Sequence, residues 1–390
     1  MATRLGMDMA RADTNRKINM LFIAFIAMWL MACSDQAHKG REKFFLDLGQ
    51  FSVESLGRNV TLVKDGAGRK FVLAPKGTFI PNDLAGIPII QVPVRRVVAF
   101  RFFDVCCLKA LGALDTLVGV TIPEEDWHLS EIKKGLKNGR IAYLGRPDSI
   151  DFEILKKQAP DLVLTWNLAI IPMLDELGIP AVVTTTPMAM CLSTRMKFVE
   201  FMAPFFQRQE EAQEFFMRVK ESLDSIRAKT HLSNARPKVM WGDIYEKRVL
   251  VEPGNSWIAQ LVAIVNSDYL FKDVYGASCI EINLERFLYS GKDADIYFTY
   301  RTPASGATSK DALRQMNPLI RDIRPLTHEG RVYCPRPEFI QEQDRLDEIF
   351  TEIAAILHPE LYPGYRLKFF IELPEHDPLP SPQGTEGGSK

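Results

Sequence analysis

The chain has 390 residues, 46% hydrophobic and 25% charged, with a formal net charge of -1 at pH 7. That length accommodates two hydrophobic cores, and the composition is ordinary for a globular protein. A balance this neutral, with no basic stripe, excludes a nucleic-acid binder, and the histidines and cysteines lack the spacing of a metal site.

At the N-terminus, Arg16-Lys17 precede an apolar run from Ile18 to Ala32 that ends in Leu30-Met31-Ala32-Cys33. A basic stretch, a short apolar stretch and a small residue before the cut describe a secretory signal, and the run is short of the ~20 residues a spanning helix needs. Residues 1–32 therefore read as a lipoprotein signal peptide with Cys33 as the acylated residue. Met31 is atypical for such a site, and a start at Met7 or an uncleaved anchor are the alternatives. Residues 33–43 read as a polar tether. Over 44–93 the runs Val60-Thr61-Leu62-Val63 and Phe71-Val72-Leu73 flank Lys64-Asp65-Gly66-Ala67-Gly68, which predicts a small extension of β-hairpins.

From Val94 the texture becomes strand–helix alternation. Val97 to Phe100, Leu117 to Val120, Ile141 to Leu144, Leu162 to Thr165 and Ala181 to Thr185 are buried-type strands, separated by helical stretches that Gly112, Pro160 and Gly178 end. This is a parallel α/β lobe over 94–195. Residues 196–231 carry apolar side chains at helical spacing and no strand signal, with Pro204 as the expected division between a short and a long helix. A helix of ~20 residues is ~30 Å long and can bridge two lobes. Alternation resumes over 236–372 as a second lobe, and 373–390 reads as a Pro- and Gly-rich disordered tail.

One pattern occurs in both lobes. Asp151-Phe152-Glu153-Ile154-Leu155 leads to Pro160-Asp161-Leu162-Val163-Leu164, and Asn283-Leu284-Glu285-Arg286-Phe287 leads to Ala294-Asp295-Ile296-Tyr297-Phe298. In each, a short polar residue can cap a helix whose second residue is glutamate, and an aspartate then introduces a strand. The fold class expected is α/β: two parallel-sheet lobes joined by one long helix, with the β-hairpin extension in front.

With Arg96-Val97-Val98-Ala99, Leu111-Gly112-Ala113-Leu114-Asp115-Thr116-Leu117-Val118-Gly119-Val120, Leu177-Gly178-Ile179-Pro180, Pro253-Gly254-Asn255-Ser256 and Gly330-Arg331-Val332-Tyr333 in this order, the chain resembles the periplasmic substrate-binding proteins of ABC importers for iron-siderophores, haem and cobalamin. The resemblance spans Val94 to Tyr365. It departs at Val265-Asn266-Ser267, where the family has an Ala-Gly-Gly turn, and at Phe102-Phe103, where many members have small polar residues. It implies an extracytoplasmic binding protein, lipid-anchored in the periplasm or on the outer face of the cell membrane. It also implies a monomer that serves a permease dimer with its ATPase and carries no resident cofactor. The transported ligand would be a ferric siderophore, haem or a corrinoid. Glu153 and Glu285 would contact permease arginines, since a carboxylate at a helix N-terminus is well placed to take a bidentate guanidinium.

Ligands of open α/β lobes bind beyond the carboxyl ends of the strands. That rule selects Arg101, Phe102, Phe103, Thr121, Trp127, His128, Trp166, Asn167, Pro187 and Met188 in the first lobe. In the second it selects Trp241, Asp243, Tyr245, Asn255, Ser256, Trp257, Tyr300, Arg301 and Arg336. Aromatic rings with a few arginines suit a bulky, partly anionic chelate, with Arg101 and Arg301 as the expected cations. Cys106, Cys107, Cys191, Cys279 and Cys334 read mainly as buried small hydrophobes, with a ligand contact at Cys106 or Cys107 as the alternative. The chain has no nucleophile elbow, Walker loop or HExxH, and Gly66-Ala67-Gly68 reads as a turn, so no enzyme is expected. A haem-relay lipoprotein and a nitrogenase-like oxidoreductase are the competing readings.

Overall fold

The computed structural model describes residues 45–377, apart from Pro187 and His328. The leader, Cys33, the tether and residues 378–390 lie outside the described residues. The extension is a five-stranded sheet in sequential order: β1 (Phe45–Asp47), β2 (Ser52–Gly57), β3 (Val60–Lys64), β4 (Lys70–Ala74) and β5 (Ile89–Gln91). Arg58 and Asn59 both adopt positive φ between β2 and β3, the two-residue turn whose twist suits an antiparallel hairpin. β5 returns parallel to β4, so the extension is more than a stack of hairpins.

The first lobe contains β6 (Val97–Ala99), α1 (Phe102–Ala110), β7 (Leu117–Val120), α2 (Ser130–Lys137), β8 (Ala142–Tyr143), the short pair β9 (Gly145–Arg146) and β10 (Ser149–Ile150), α3 (Phe152–Gln158), β11 (Leu162–Thr165), α4 (Ile171–Glu176) and β12 (Ala181–Val183). Its sheet is parallel, in the order β12-β11-β6-β7-β8. β6, β7, β11 and β12 are buried at nearly every position, as strands covered on both faces must be.

The second lobe contains β13 (Lys238–Tyr245), β14 (Arg248–Val251), α7 (Trp257–Ile264), β15 (Asp268–Tyr269), β16 (Ile280–Ile282), α8 (Leu284–Gly291), β17 (Ile296–Phe298), α9 (Lys310–Met316), β18 (Arg331–Pro335), α10 (Leu346–Leu357) and β19 (Phe370–Glu372). β13 pairs in parallel with β15 and β17, and β17 with β18. β6, β7, β11 and β12 of the first lobe therefore correspond to β13, β15, β17 and β18 of the second. The antiparallel β14, β16 and β19 are additions.

The repeated sequence pattern performs the same work twice. The Asp151 side chain accepts from the Ile154 amide at 2.9 Å and Asn283 accepts from the Arg286 amide at 2.8 Å, so α3 and α8 start under matching caps. Asp161 Oδ2 accepts from the Arg95 and Arg96 amides at 2.8 and 2.9 Å, and Asp295 Oδ2 from the Lys238 amide at 2.7 Å. Each aspartate fastens the start of its lobe's first strand to the strand it introduces.

The lobes are joined by α5 (Leu192–Phe206) and the 22-residue α6 (Gln209–Thr230). The division falls at Gln207, not Pro204. Pro204 lies in the last turn of α5, whereas Gln207 adopts the left-handed conformation (φ 56°) that ends the helix. The expected tail boundary also moves: the Leu373 amide donates to Val332 O at 2.8 Å, and Pro374 and Glu375 carbonyls accept from Lys310 and Asp311 amides. Residues 373–377 are therefore bonded to the second lobe, because β19 needs an exit along its neighbour.

Candidate functional site

The sequence-selected loops lie at the carboxyl ends of the strands, and their side chains divide into structural and available groups. In the first lobe, Trp127 is fully buried, packs edge-on against Phe102 at 4.9 Å and donates its indole N–H to Ile122 O. It belongs to the core, not the cleft. Asn167 caps a short helical turn by accepting from the Ala169 amide and donates to Pro147 O at 2.8 Å, which leaves little of it for a ligand. Arg101 is neutralised in place: its Nη2 lies 2.8 Å from Asp104 Oδ1 and donates to Thr184 O. Trp166 and Met188 are 44% and 49% exposed and remain available.

In the second lobe, Trp241 sits inside β13, buried, stacked on Phe298 at 4.2 Å. Ser256 is buried as the cap of α7, accepting from the Ala259 amide. Asn255 both donates to and accepts from the backbone of Gly276, holding that turn. Arg301 pairs with buried Asp243 at 3.2 Å, donates to Ile244 O at 2.7 Å, and lies over the Tyr245 ring at 4.5 Å. The two arginines expected to supply charge are thus each spent on a carboxylate of their own lobe.

A further cation, at the junction of the lobes, is Arg195, in the first turn of α5, which sequence reading did not select. Its guanidinium lies 3.8 Å from the centre of the Phe103 ring, from the first lobe, and 5.5 Å from Trp257, from the second. Nη2 donates to Gln343 Oε1, and Nε is buried with no partner. Burial lowers the group to about 10, so it stays charged at neutral pH. Among the described residues it forms no ion pair. Arg336, at the end of β18, also has a buried, unpartnered Nε. The only signal for Arg195 in the sequence would have been its place at the start of the interlobe helix.

Beside Arg195, the Glu252 carboxyl is raised by burial, with Tyr300, Ser256, Cys279 and Arg195 acting in the opposite direction. The Cys279 thiol donates to its Oε1 at 3.8 Å. Tyr300 is pushed up by burial and by Glu252, so its phenol holds its proton. Cys106 and Cys107 are both buried, and burial raises both thiols, Cys106 to about 12; they are packing residues rather than thiolate ligands. On the first-lobe side lies a cavity of about 730 Å³, lined by Phe102, Thr121, Glu124, Glu125, Tyr143 and Arg146 among others. Among the described residues, no group of three or more His, Cys, Asp or Glu could hold a metal ion.

A profile of the periplasmic binding protein family matches residues 97–337. The chain belongs to that family. The match covers the first lobe, α5, α6 and the second lobe through β18, and leaves the β1–β5 extension outside. Family membership makes this a solute-binding protein acting outside the cytoplasm, with no enzymatic role implied. A relative, an uncharacterized lipoprotein of Methanocaldococcus jannaschii, is 26% identical over 79% of this chain and 77% of its own length. The fold is shared with Helicobacter pylori CeuE, described with Ni-His (TM-score 0.57, 17% identity, 78% of this chain and 90% of that one). It is also shared with the periplasmic haem-binding protein HutB of Vibrio cholerae (TM-score 0.53, 14% identity, 68% and 99%).

Within this family fold, Glu153 and Glu285 occupy equivalent places: each is the second residue of a capped helix, α3 or α8, and each is exposed. Among the described residues neither carboxylate is engaged in an ion pair, so both are free to accept one from outside.

Proposed function

We propose that this protein captures an anionic ferric chelate of the siderophore type between its lobes and delivers it to an ABC permease dimer and its ATPase, docking through Glu153 and Glu285. The observation that carries the reading is Arg195, a buried cation with no ion pair among the described residues, set against one aromatic ring from each lobe, while burial biases the neighbouring Glu252 carboxyl towards its neutral form. A buried charge whose neighbouring carboxyl is biased towards neutrality is suited to receive a counter-charge from a ligand. Phe103 and Trp257 supply flat surfaces against it, and the exposed Trp166 and Tyr245 are further aromatic surfaces on the strand-end loops of the two lobes. An acyl chain on Cys33 would tether the receptor at the membrane, in keeping with a relative described as a lipoprotein. Haem is the second reading, favoured by the haem-binding proteins of Vibrio cholerae and Pseudomonas aeruginosa that share the fold.

Quenching of Trp166 and Trp257 fluorescence by ferric tris-catecholate, hemin and cyanocobalamin tests both readings. The ferric tris-anion is expected to bind, and Arg195→Gln to weaken it by about 10- to 100-fold, the worth of a hydrogen bond to a charged group (~1.5–3 kcal/mol). Equal affinity in wild type and Arg195→Gln removes the anion site; hemin binding alone moves the assignment to haem.

A further inference from the structure

Residues Glu338 to Asp344, between β18 and α10, leave the second lobe and lie against the first. Their root is fixed at home: Phe339 packs on Phe370 at 4.9 Å, and the Arg336 amide donates to Phe369 O at 2.8 Å. Their tip is bonded across. Gln341, only 1% exposed, donates from Nε2 to Asp126 O at 2.6 Å and accepts at Oε1 from the His128 amide at 2.7 Å and the Leu129 amide at 3.4 Å. Asp344 pairs with Lys109 of α1 at 3.0 Å, and the Cys106 thiol reaches Ile340 O at 3.9 Å. Gln343, also buried, donates to Phe339 O at 2.8 Å and accepts from Arg195.

A side-chain amide buried in one lobe and satisfied entirely by the backbone of the other is a directional tie. It stands apart from the covalent path through α5 and α6. Two ties at separate places remove the freedom to rotate about either one. We propose that the Glu338–Asp344 segment is a strap that fixes the spacing of the lobes through Gln341 and positions Arg195 through Gln343. Trp127 and His128 then belong to the strap's seat on the first lobe. The spacing role stands without the proposed function; only the use of Arg195 as an anion contact rests on it. All the measurements are therefore made on ligand-free protein.

Spin labels attached to a ketone-bearing amino acid at positions 143 and 275 leave the cysteines untouched and report the distance between the lobes. Wild type is expected to give one narrow distribution. Gln341→Ala should broaden it, and should speed hydrogen exchange at the His128 and Leu129 amides roughly tenfold, the factor for ~1.4 kcal/mol of lost bonding. Gln341→Glu keeps the acceptor for His128 and the volume but sets a carboxyl oxygen against Asp126 O, so it should broaden the distribution as well, and it serves if the alanine variant does not fold. An unchanged distribution in the variants, with or without faster exchange, overturns the strap, since the bonds are then local packing. Gln343→Ala should broaden the Arg195 Nε–H resonance; an unaltered resonance overturns the positioning role.

Discussion

Arginines at the cleft differ by what neutralises them, and that decides which can bind. Arg101 meets Asp104 three residues on, inside the same helix start, and Arg301 meets Asp243 across two neighbouring strands. The first pairing was visible as an i,i+3 spacing; the second joins residues far apart in sequence and was not. Arg195 looked like any polar helical position, and only the fold shows it buried between Phe103 and Trp257. Glu252 gives a pH test at the same scale. Burial raises its folded-state pKa above the unfolded value near 4.5, so the unfolded chain releases its proton first as pH rises. Stability from this group is complete below the unfolded value and declines until the folded value is passed. Glu252→Gln does not titrate, so its thermal midpoint relative to wild type should improve as pH rises above the unfolded value. A constant offset as pH rises would mean that Glu252 ionises as it does in water.

At the scale of elements, the β1–β5 extension is more than an ornament on the first lobe. Phe51 packs on Phe198 and Phe201 of α5 at 5.0 and 4.9 Å, and the turn after β3 is bonded to β12. Gly66 donates to Val183 O at 2.9 Å, the Val183 amide donates to Asp65 Oδ2 at 3.0 Å, and Arg69 pairs with Asp65 while reaching Ala181 O. These bonds occupy the open edge of the parallel sheet, which would otherwise present unpaired backbone groups. The sequence marked the turn as Gly66-Ala67-Gly68 but could not say what it touched. A Cβ on Gly66 would lie 1.8 Å from Thr185 O, so backbone must move. Gly66→Ala is expected to cost about 1–3 kcal/mol, the usual range for overpacking, read as a lower denaturation midpoint with an unchanged denaturant slope. No loss of stability would mean that the turn is not seated on the sheet edge. The same scale explains the departure at Asn266: it takes positive φ (56°), which asparagine tolerates better than most residues, and its amide donates to Ser233 O. The donor to Ser233 O is the side-chain Nδ2, so Asn266 adopts the positive φ of the glycine that the family resemblance led one to expect there and adds a bond that glycine lacks.

For the whole molecule, the two-lobe plan was legible because local signals agree with it: strand runs, helix stops, and an Asp-capped or Asn-capped helix followed by Asp and a strand in each half. The strap was not legible, because Gln341 satisfies backbone groups more than two hundred positions away and nothing in a glutamine's neighbours announces that. Equivalence of the halves matters most at Glu153 and Glu285. Both begin helices under matched caps, both are exposed, and each follows the strand order of its own lobe in the same way. An exposed carboxylate gains little from its own fold. In the proposed docking, each would meet a guanidinium group of the partner, one for each lobe. Replacing both with alanine should leave thermal stability within about 0.5 kcal/mol and the fluorescence affinity for ferric tris-catecholate unchanged, while transport of iron by cells expressing the variant with its importer fails. Each single change should give a partial loss, because one bidentate pair would still guide docking. Undiminished uptake by the double variant would place the docking surface elsewhere on the lobes.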